Sequence, residues 1–385
     1  MPWNESTRMD ERLVFVEAYL SGHFSLSELC RSAGVSRPTG YLWIERYRRH
    51  GESGLVERSH AAHSCPHRTP RVVAERLLAL RQAHPFWGPR KLISYGARHW
   101  PQVPWPSRST AAAILRQAGL VKPRRRRRHL LRPGQAARTP ELPNQLWTTD
   151  FKGEFRTRDQ RYCYPLTVGD LATRFLLGCK ALHQTHCAPT EAAMDRVFQE
   201  YGLPDALHFD WGSPFAGTGF AGLTRLSLKW LKLGITLERS RPGCPQDNAC
   251  HERMHRTLKN ETTRPPAANL AAQQRRFDRF RQEFNFERPH QSLADRPPAD
   301  LYRPSSRAFP RRPPEPHYPQ HFEIRRLSPR GELRLNGRSR FFGSVLARET
   351  IGLEEAEDGV WRVYFGPQML ACLDEIADKL IEVPV

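Results

Sequence analysis

The segment KPRRRRRHLLRPGQAAR, Lys122 to Arg138, contains five consecutive arginines and no acidic residue. A packed core cannot hold such a run, because every buried charge needs an opposite charge or a hydrogen-bond acceptor. The chain must therefore divide here, and the run suits a flexible linker that follows a phosphate backbone. The rest of the chain shares the bias. Across 385 residues, 60 Lys plus Arg stand against 40 Asp plus Glu, a formal net charge of +20. That balance favours a polyanionic partner and says nothing of fold. A membrane is disfavoured as partner, since no apolar run approaches the roughly 18 residues a spanning helix needs. The acidic, polar start MPWNESTRMDERL does not read as a signal peptide. Eight cysteines are scattered without a C-x-x-C pair, which points to reduced thiols and a cytoplasmic protein.

On the N-terminal side of the arginines the pattern is helical. Leu13, Val14 and Val16 form a helical stripe that stops at Gly22, Ser25-Leu-Ser-Glu28 is a capping box, and Ser36 caps a third helix with Pro38 in its first turn. A helix, a glycine turn and an arginine-rich helix make a helix-turn-helix pattern, whose last helix enters the major groove. Arg37, Thr39, Gly40 and Arg46 are the expected DNA contacts on it, with Gly40 letting the backbone approach closely. Further helices before Gly119 read as a second, looser helix-turn-helix.

Beyond Leu146 the period changes to that of strands, then strands alternate with helices, which predicts a mixed sheet covered by helices. Residues 303–320 contain six prolines and read as a linker. After them, alternating segments joined by Asn336-Gly337 and Asp358-Gly359 predict a small β-barrel. The expected division is thus 1–60 helix-turn-helix, 61–121 second helical domain, 122–140 basic linker, 141–302 α/β core, 303–320 proline-rich linker and 321–385 barrel. Arg124, Arg125, Arg126, Arg127 and Arg128 of the linker are expected on DNA phosphates.

Three acids stand out within the core. Asp150 sits in the first strand, Asp210 ends a later strand before a glycine-rich loop, and Glu252 lies on the helix of RPGCPQDNACHERMHRTLKNE. On a helical wheel Asn248, Glu252, His255, Arg256 and Lys259 share one face within roughly 60° of Glu252, with Met254 and Leu258 behind. Three hard oxygen ligands suit Mg²⁺ or Mn²⁺, and a pair of such ions activates an attacking oxygen and stabilises the leaving one.

WTTDFKG, FDWGSPFA, PGCPQDNACHERMHRTLKNE and FNFERPHQSLADRPPADLY, in this order, resemble bacterial insertion-sequence transposases of the retroviral-integrase superfamily. The resemblance spans nearly the whole chain. It implies a ribonuclease H-like core in which Asp150, Asp210 and Glu252 are catalytic and bind two Mg²⁺ or Mn²⁺ ions. It also implies binding of double-stranded DNA at element ends and target, strand cleavage and strand transfer, homo-oligomers on DNA, and a place in the cytoplasm at the nucleoid. His255, Lys259 and the Arg288-Pro289-His290 segment match positions flanking the family's active site, as DNA contacts or supports. The chain departs from the family at Trp211, where Asn is most usual, at His208 and Phe209, and at Cys244 and Cys250. An indole at 211 is expected to pack over the acids and crowd the DNA strand. On that ground an impaired or repurposed copy that only binds DNA is the alternative reading.

Overall fold

A computed structural model describes residues 7–57, 66–121, 140–240 and 249–383. The chain forms two compact units, residues 1–68 and 69–385.

The first unit contains α1 (Arg8–Leu20), α2 (Leu26–Ser32) and α3 (Arg37–His50). Thr7 with Asp10, and Ser25 with Glu28, close reciprocal capping boxes, while Ser36 accepts the Thr39 amide. Gly34 turns the chain between α2 and α3 at φ 66°, a left-handed conformation glycine adopts without penalty. Phe15, Val16, Cys30, Ile44 and Leu55 form the core. Gly40 belongs to that core rather than to a DNA-facing surface. A Cβ there would lie 2.7 Å from the Cys30 Sγ and 3.1 Å from Phe15, so the missing side chain serves helix packing. The DNA approach expected of Gly40 is therefore corrected.

The second unit begins with α4 (Arg71–Ala83), α5 (Pro89–His99) and α6 (Arg108–Gln117) around Leu77, Trp87, Leu92 and Leu115. Arg90 pairs with Asp295, Arg98 with Asp300, and His84 with Glu283, so this helical module is tied ionically to later parts of the same unit. The basic run Arg124–Arg128 lies outside the described residues.

The strands β1 (Leu146–Phe151), β2 (Phe155–Arg156), β3 (Tyr162–Asp170) and β4 (Leu176–Leu182) are followed by α7 (Cys187–Tyr201), β5 (Ala206–Phe209), α8 (Arg225–Lys232), β6 (Thr236–Arg239), α9 (Ala249–Thr262) and α10 (Leu270–Phe286). They build a six-stranded sheet in the order β2-β3-β1-β5-β6, with β4 also on β3. β1 runs antiparallel to β3 and parallel to β5, so the sheet is mixed, as expected. One apolar cluster, including Trp147, Phe198, Leu207 and Trp230, gathers with α7 and α8. Another joins Cys163, Leu176 and Cys179 to Met254 and Leu258 of α9 and to Phe277, Phe280 and Phe284 of α10.

The C-terminal strands depart from the expected barrel. β7 (Glu323–Arg326), β10 (Thr350–Glu357), β11 (Val360–Phe365), β12 (Gln368–Asp374) and β13 (Lys379–Glu382) form a five-stranded sheet in the order β13-β12-β11-β10-β7, and β8 (Glu332–Leu335) pairs only with β9 (Arg338–Phe341). The sheet is open at β7 and β13. Beside the hairpin, Phe342 lies 4.9 Å, centroid to centroid, from Phe220, and Leu333 and Leu335 join the large core cluster. The hairpin region is thus engaged with the core rather than closing a barrel. Free thiols occur at Cys30, Cys163, Cys179, Cys187, Cys250 and Cys372. No described helix is long and apolar enough to cross a membrane.

Candidate active site

Parallel pairing brings the first two acids together. Thr148 of β1 is in register with His208 of β5, so Asp150 near the end of β1 and Asp210 just past the end of β5 stand at the carboxyl ends of neighbouring strands. The Gly212 amide donates to Asp210 Oδ1 at 3.0 Å. That backbone group orients the carboxylate without help from the side chain at 211. Glu252, in the first turn of α9, is exposed like Asp210.

Burial pushes the Asp150 carboxyl up to about 7, and the charges of Asp210 and then Glu252 push the same way. Hydrogen bonds from backbone and the nearby Lys152 oppose this only in part. Asp210 and Glu252 thus both act on Asp150, and a cation beside it would relieve that repulsion.

Two histidines lie beneath this edge. His251 and His255 are 4% and 5% exposed, their rings edge to face at 4.5 Å. Thr167, in register with Asp150 across β1 and β3, donates its hydroxyl proton to the Asp150 carbonyl at 3.1 Å. Thr167 Oγ1 lies 2.6 Å from the Nε2 of both histidines, joining them through hydrogen bonds. His251 Nδ1 is hydrogen-bonded to Thr148 Oγ1 at 2.7 Å. His255 Nδ1 stands 3.6 Å from Asp150 Oδ2. Burial lowers His251 to about 3 and holds His255 well below the usual imidazole range, so both rings are neutral. Asp150, His251 and His255 present ligand atoms within 4.8 Å of one another. Because Thr148 and Thr167 occupy both nitrogens of His251 and the Nε2 of His255, only the His255 Nδ1 is available to join Asp150.

The structure corrects the reading of His255 as a DNA contact. It faces Asp150 and Thr167 from beneath, while Lys259 and Arg256 on the same helix are exposed. The sequence reading missed His251, whose four-residue spacing from His255 places both on one side of α9, and it missed Thr148 and Thr167 opposite them. Trp211 does not cover the acids. Its Nε1 donates to the Ser240 carbonyl at 2.8 Å, Arg239 lies 4.6 Å from its ring centroid, and it is 44% exposed. In the first unit Arg37 is exposed, Thr39 shares a 2.8 Å hydroxyl contact with Ser36, and Arg46 is half-buried.

Comparisons with known proteins agree with this arrangement. The integrase core domain family matches residues 140–245, and a second integrase core domain family matches 233–298. A helix-turn-helix domain matches 11–62 and a homeodomain-like domain 39–115. Over 226 residues the chain is 26% identical to the insertion element IS407 uncharacterized 31.7 kDa protein of Burkholderia multivorans, covering 58% of this chain and 77% of that protein. Among solved structures, the simian T-cell lymphotropic virus intasome covers 80% of this chain and 100% of its own at 14% identity and a TM-score of 0.38. The HTLV-2 integrase catalytic core domain in complex with magnesium covers 42% and 98%, at 13% identity and a TM-score of 0.34. With helix-turn-helix domain matches ahead of integrase core domain matches, and an insertion-element protein as relative, the chain resembles the insertion-sequence transposases of the retroviral-integrase superfamily.

Proposed function

We propose that this chain cleaves DNA at the ends of its mobile element and joins those ends to a target, with Asp150, Asp210 and Glu252 as the catalytic, metal-holding residues. The observation that carries the reading is the setting of Asp150, whose carboxyl is pushed up to about 7 by burial first and then by the charges of Asp210 and Glu252, which places the three acids within reach of one site. Such a cluster fits Mg²⁺ or Mn²⁺, hard cations that take oxygen ligands and keep positions for substrate phosphate. When bound, a pair of ions supplies activation of the attacking oxygen and stabilisation of the leaving one. The chain's own residues do the positioning. Gly212 orients Asp210, and the paired strands hold Asp150 in line with it. His255, kept neutral by burial and held by Thr167, backs the inner side of Asp150 with its Nδ1 3.6 Å from Oδ2.

The alternative, a copy that only binds DNA, drew its support from an indole over the acids. Trp211 is instead held against Ser240 and Arg239, so that support is gone. The test is nicking and joining of duplexes carrying the element's terminal repeats in Mg²⁺. Glu252→Gln is expected to lose both activities by at least about a thousandfold, roughly 4 kcal/mol in the barrier, while still binding the ends. A Glu252→Gln protein that cuts like the parent would remove Glu252 from the site.

A further inference from the structure

A cavity of about 160 Å³ lies beside the acid cluster, between the Lys91 turn of α5, the start of α9 and the chain leaving α10. It shares Thr148 and His251 with the site already described, and Leu176, Met254 and Phe284 supply apolar wall. The remaining wall is cationic: Lys91, Arg174, Arg253 and Arg288, with His290 among them.

The charges around it do not cancel. Asp170 is the carboxylate in the wall, and its oxygens already accept from the Asn144 amide at 2.8 Å and from the Thr173 amide and hydroxyl at 2.7 and 2.6 Å. Glu261, Glu283 and Asp295 act on Lys91 from farther off, but they are paired with Arg288, His84 and Arg90. Among the described residues, the side chains of Lys91, Arg174 and Arg253 make no hydrogen bond or ion pair, though Arg174 acts on Asp170 through space. Two polar atoms here are shut from solvent with no partner, Arg174 Nη1 and His290 Nε2. Arg288 is 95% buried as it reaches Glu261 at 2.7 Å. Buried polar groups are rarely left without a partner, and burial first, then Lys91, Arg288 and Arg174, push against protonation of His290. One anion would answer all of these at once.

We propose that this cavity binds a phosphate oxyanion, held by Lys91, Arg174 and Arg288 beside His290. Guanidinium forks match phosphate oxygens, and three cations around one small space suit a doubly charged tetrahedral group better than a single carboxylate. The anion would bridge the helical module, through Lys91, to the core, through Arg174 and Arg288. Its source is either a backbone phosphate of the DNA strand that passes Asp150, which rests on the function proposed above, or a free phosphate compound.

The test titrates the full-length, metal-free protein with sodium pyrophosphate at constant ionic strength set by chloride, and follows the melting temperature. A saturable rise is expected. In Lys91→Gln/Arg174→Gln, and separately in Ser292→Glu at the exposed rim, the midpoint should move at least about tenfold to higher concentration. Should the double variant fail to fold, Ser292→Glu decides. Asp210→Asn lies outside the cavity and should keep the parent's midpoint, which separates this site from the metal-holding acids whatever their fate. No saturable rise, or one midpoint for parent and variants, overturns the proposal. A salt series on duplex binding then assigns the source. DNA in the cavity requires the double variant to flatten the log–log slope by roughly 0.9 for each phosphate it no longer neutralises, whereas an unchanged slope with pyrophosphate binding abolished assigns the site to free phosphate.

Discussion

Asp150 carries opposing demands at a single residue. Its backbone is fixed on one side by pairing with Thr167 of β3, and its carboxyl meets burial, two like charges and His255. A carboxyl whose folded pKa is raised, here from 3.8 to about 7, adds stability that is fully present below its unfolded value and is lost as pH rises through the folded one. Without metal, stability should therefore fall between about pH 4 and pH 7 by on the order of a few kcal/mol from this group. Asp150→Asn removes the term. The variant is expected to match the parent near pH 4, exceed it in urea denaturation near pH 8, and show no rise in melting temperature with Mg²⁺, where the parent rises. A parent whose stability does not move relative to the variant across this window would show that Asp150 is not held protonated. Trp211 teaches the complementary lesson: Arg239 at the end of β6 and Ser240 just beyond it decide where the indole goes, and the Gly212 amide makes a side-chain orienter for Asp210 unnecessary.

At the scale of elements, what was legible is what local pattern fixes. Capping boxes at Thr7 and Ser25 and the change of period at Leu146 located helices and strands, and two acids at strand ends followed from alternation and turns. What stayed hidden depends on which element lies across. The helical wheel groups His255 with Glu252, but it does not say that His255 is buried against Thr167 while Glu252 stays exposed. Gly40 reads the same whether DNA or Cys30 approaches it. Alternating strands after 321 are equally compatible with a closed barrel and with the open sheet, because closure rests on pairing between β7 and β13, at opposite ends of the segment. The ionic ties of α5 to the segment after α10 belong to the same class. Arg90 Nε meets both Asp295 oxygens at 3.0 and 2.9 Å, with the two side chains 36% and 24% exposed. A double-mutant cycle with Arg90→Ala and Asp295→Ala is expected to return a coupling of about 0.5–1 kcal/mol, in the range of partly exposed pairs. Strict additivity in urea melts would mean that the module is not held there.

Over the whole molecule, the net charge of +20 and the separation of helix-turn-helix unit from catalytic core imply a division between reading and holding DNA. Exposed arginine at the start of a recognition helix discriminates bases, each good contact contributing about 1–3 kcal/mol against a wrong base. A run such as Arg124–Arg128 neutralises phosphates, which carry no sequence, and binds by releasing counterions. The two kinds of substitution should therefore fail differently. Arg37→Ala is expected to narrow the affinity gap between the element's ends and unrelated duplex while leaving the salt slope within about one unit of the parent's. Changing Arg124 to Arg128 to Gln should weaken specific and unrelated DNA alike and reduce the slope by roughly 0.9 for each phosphate no longer neutralised. Binding isotherms on both duplexes across a salt series measure both quantities together. If Arg37→Ala keeps the full gap, base reading lies elsewhere in the helical units; if the Gln series keeps the parent's slope, the arginines do not touch the backbone, and the positive charge acts from other surfaces.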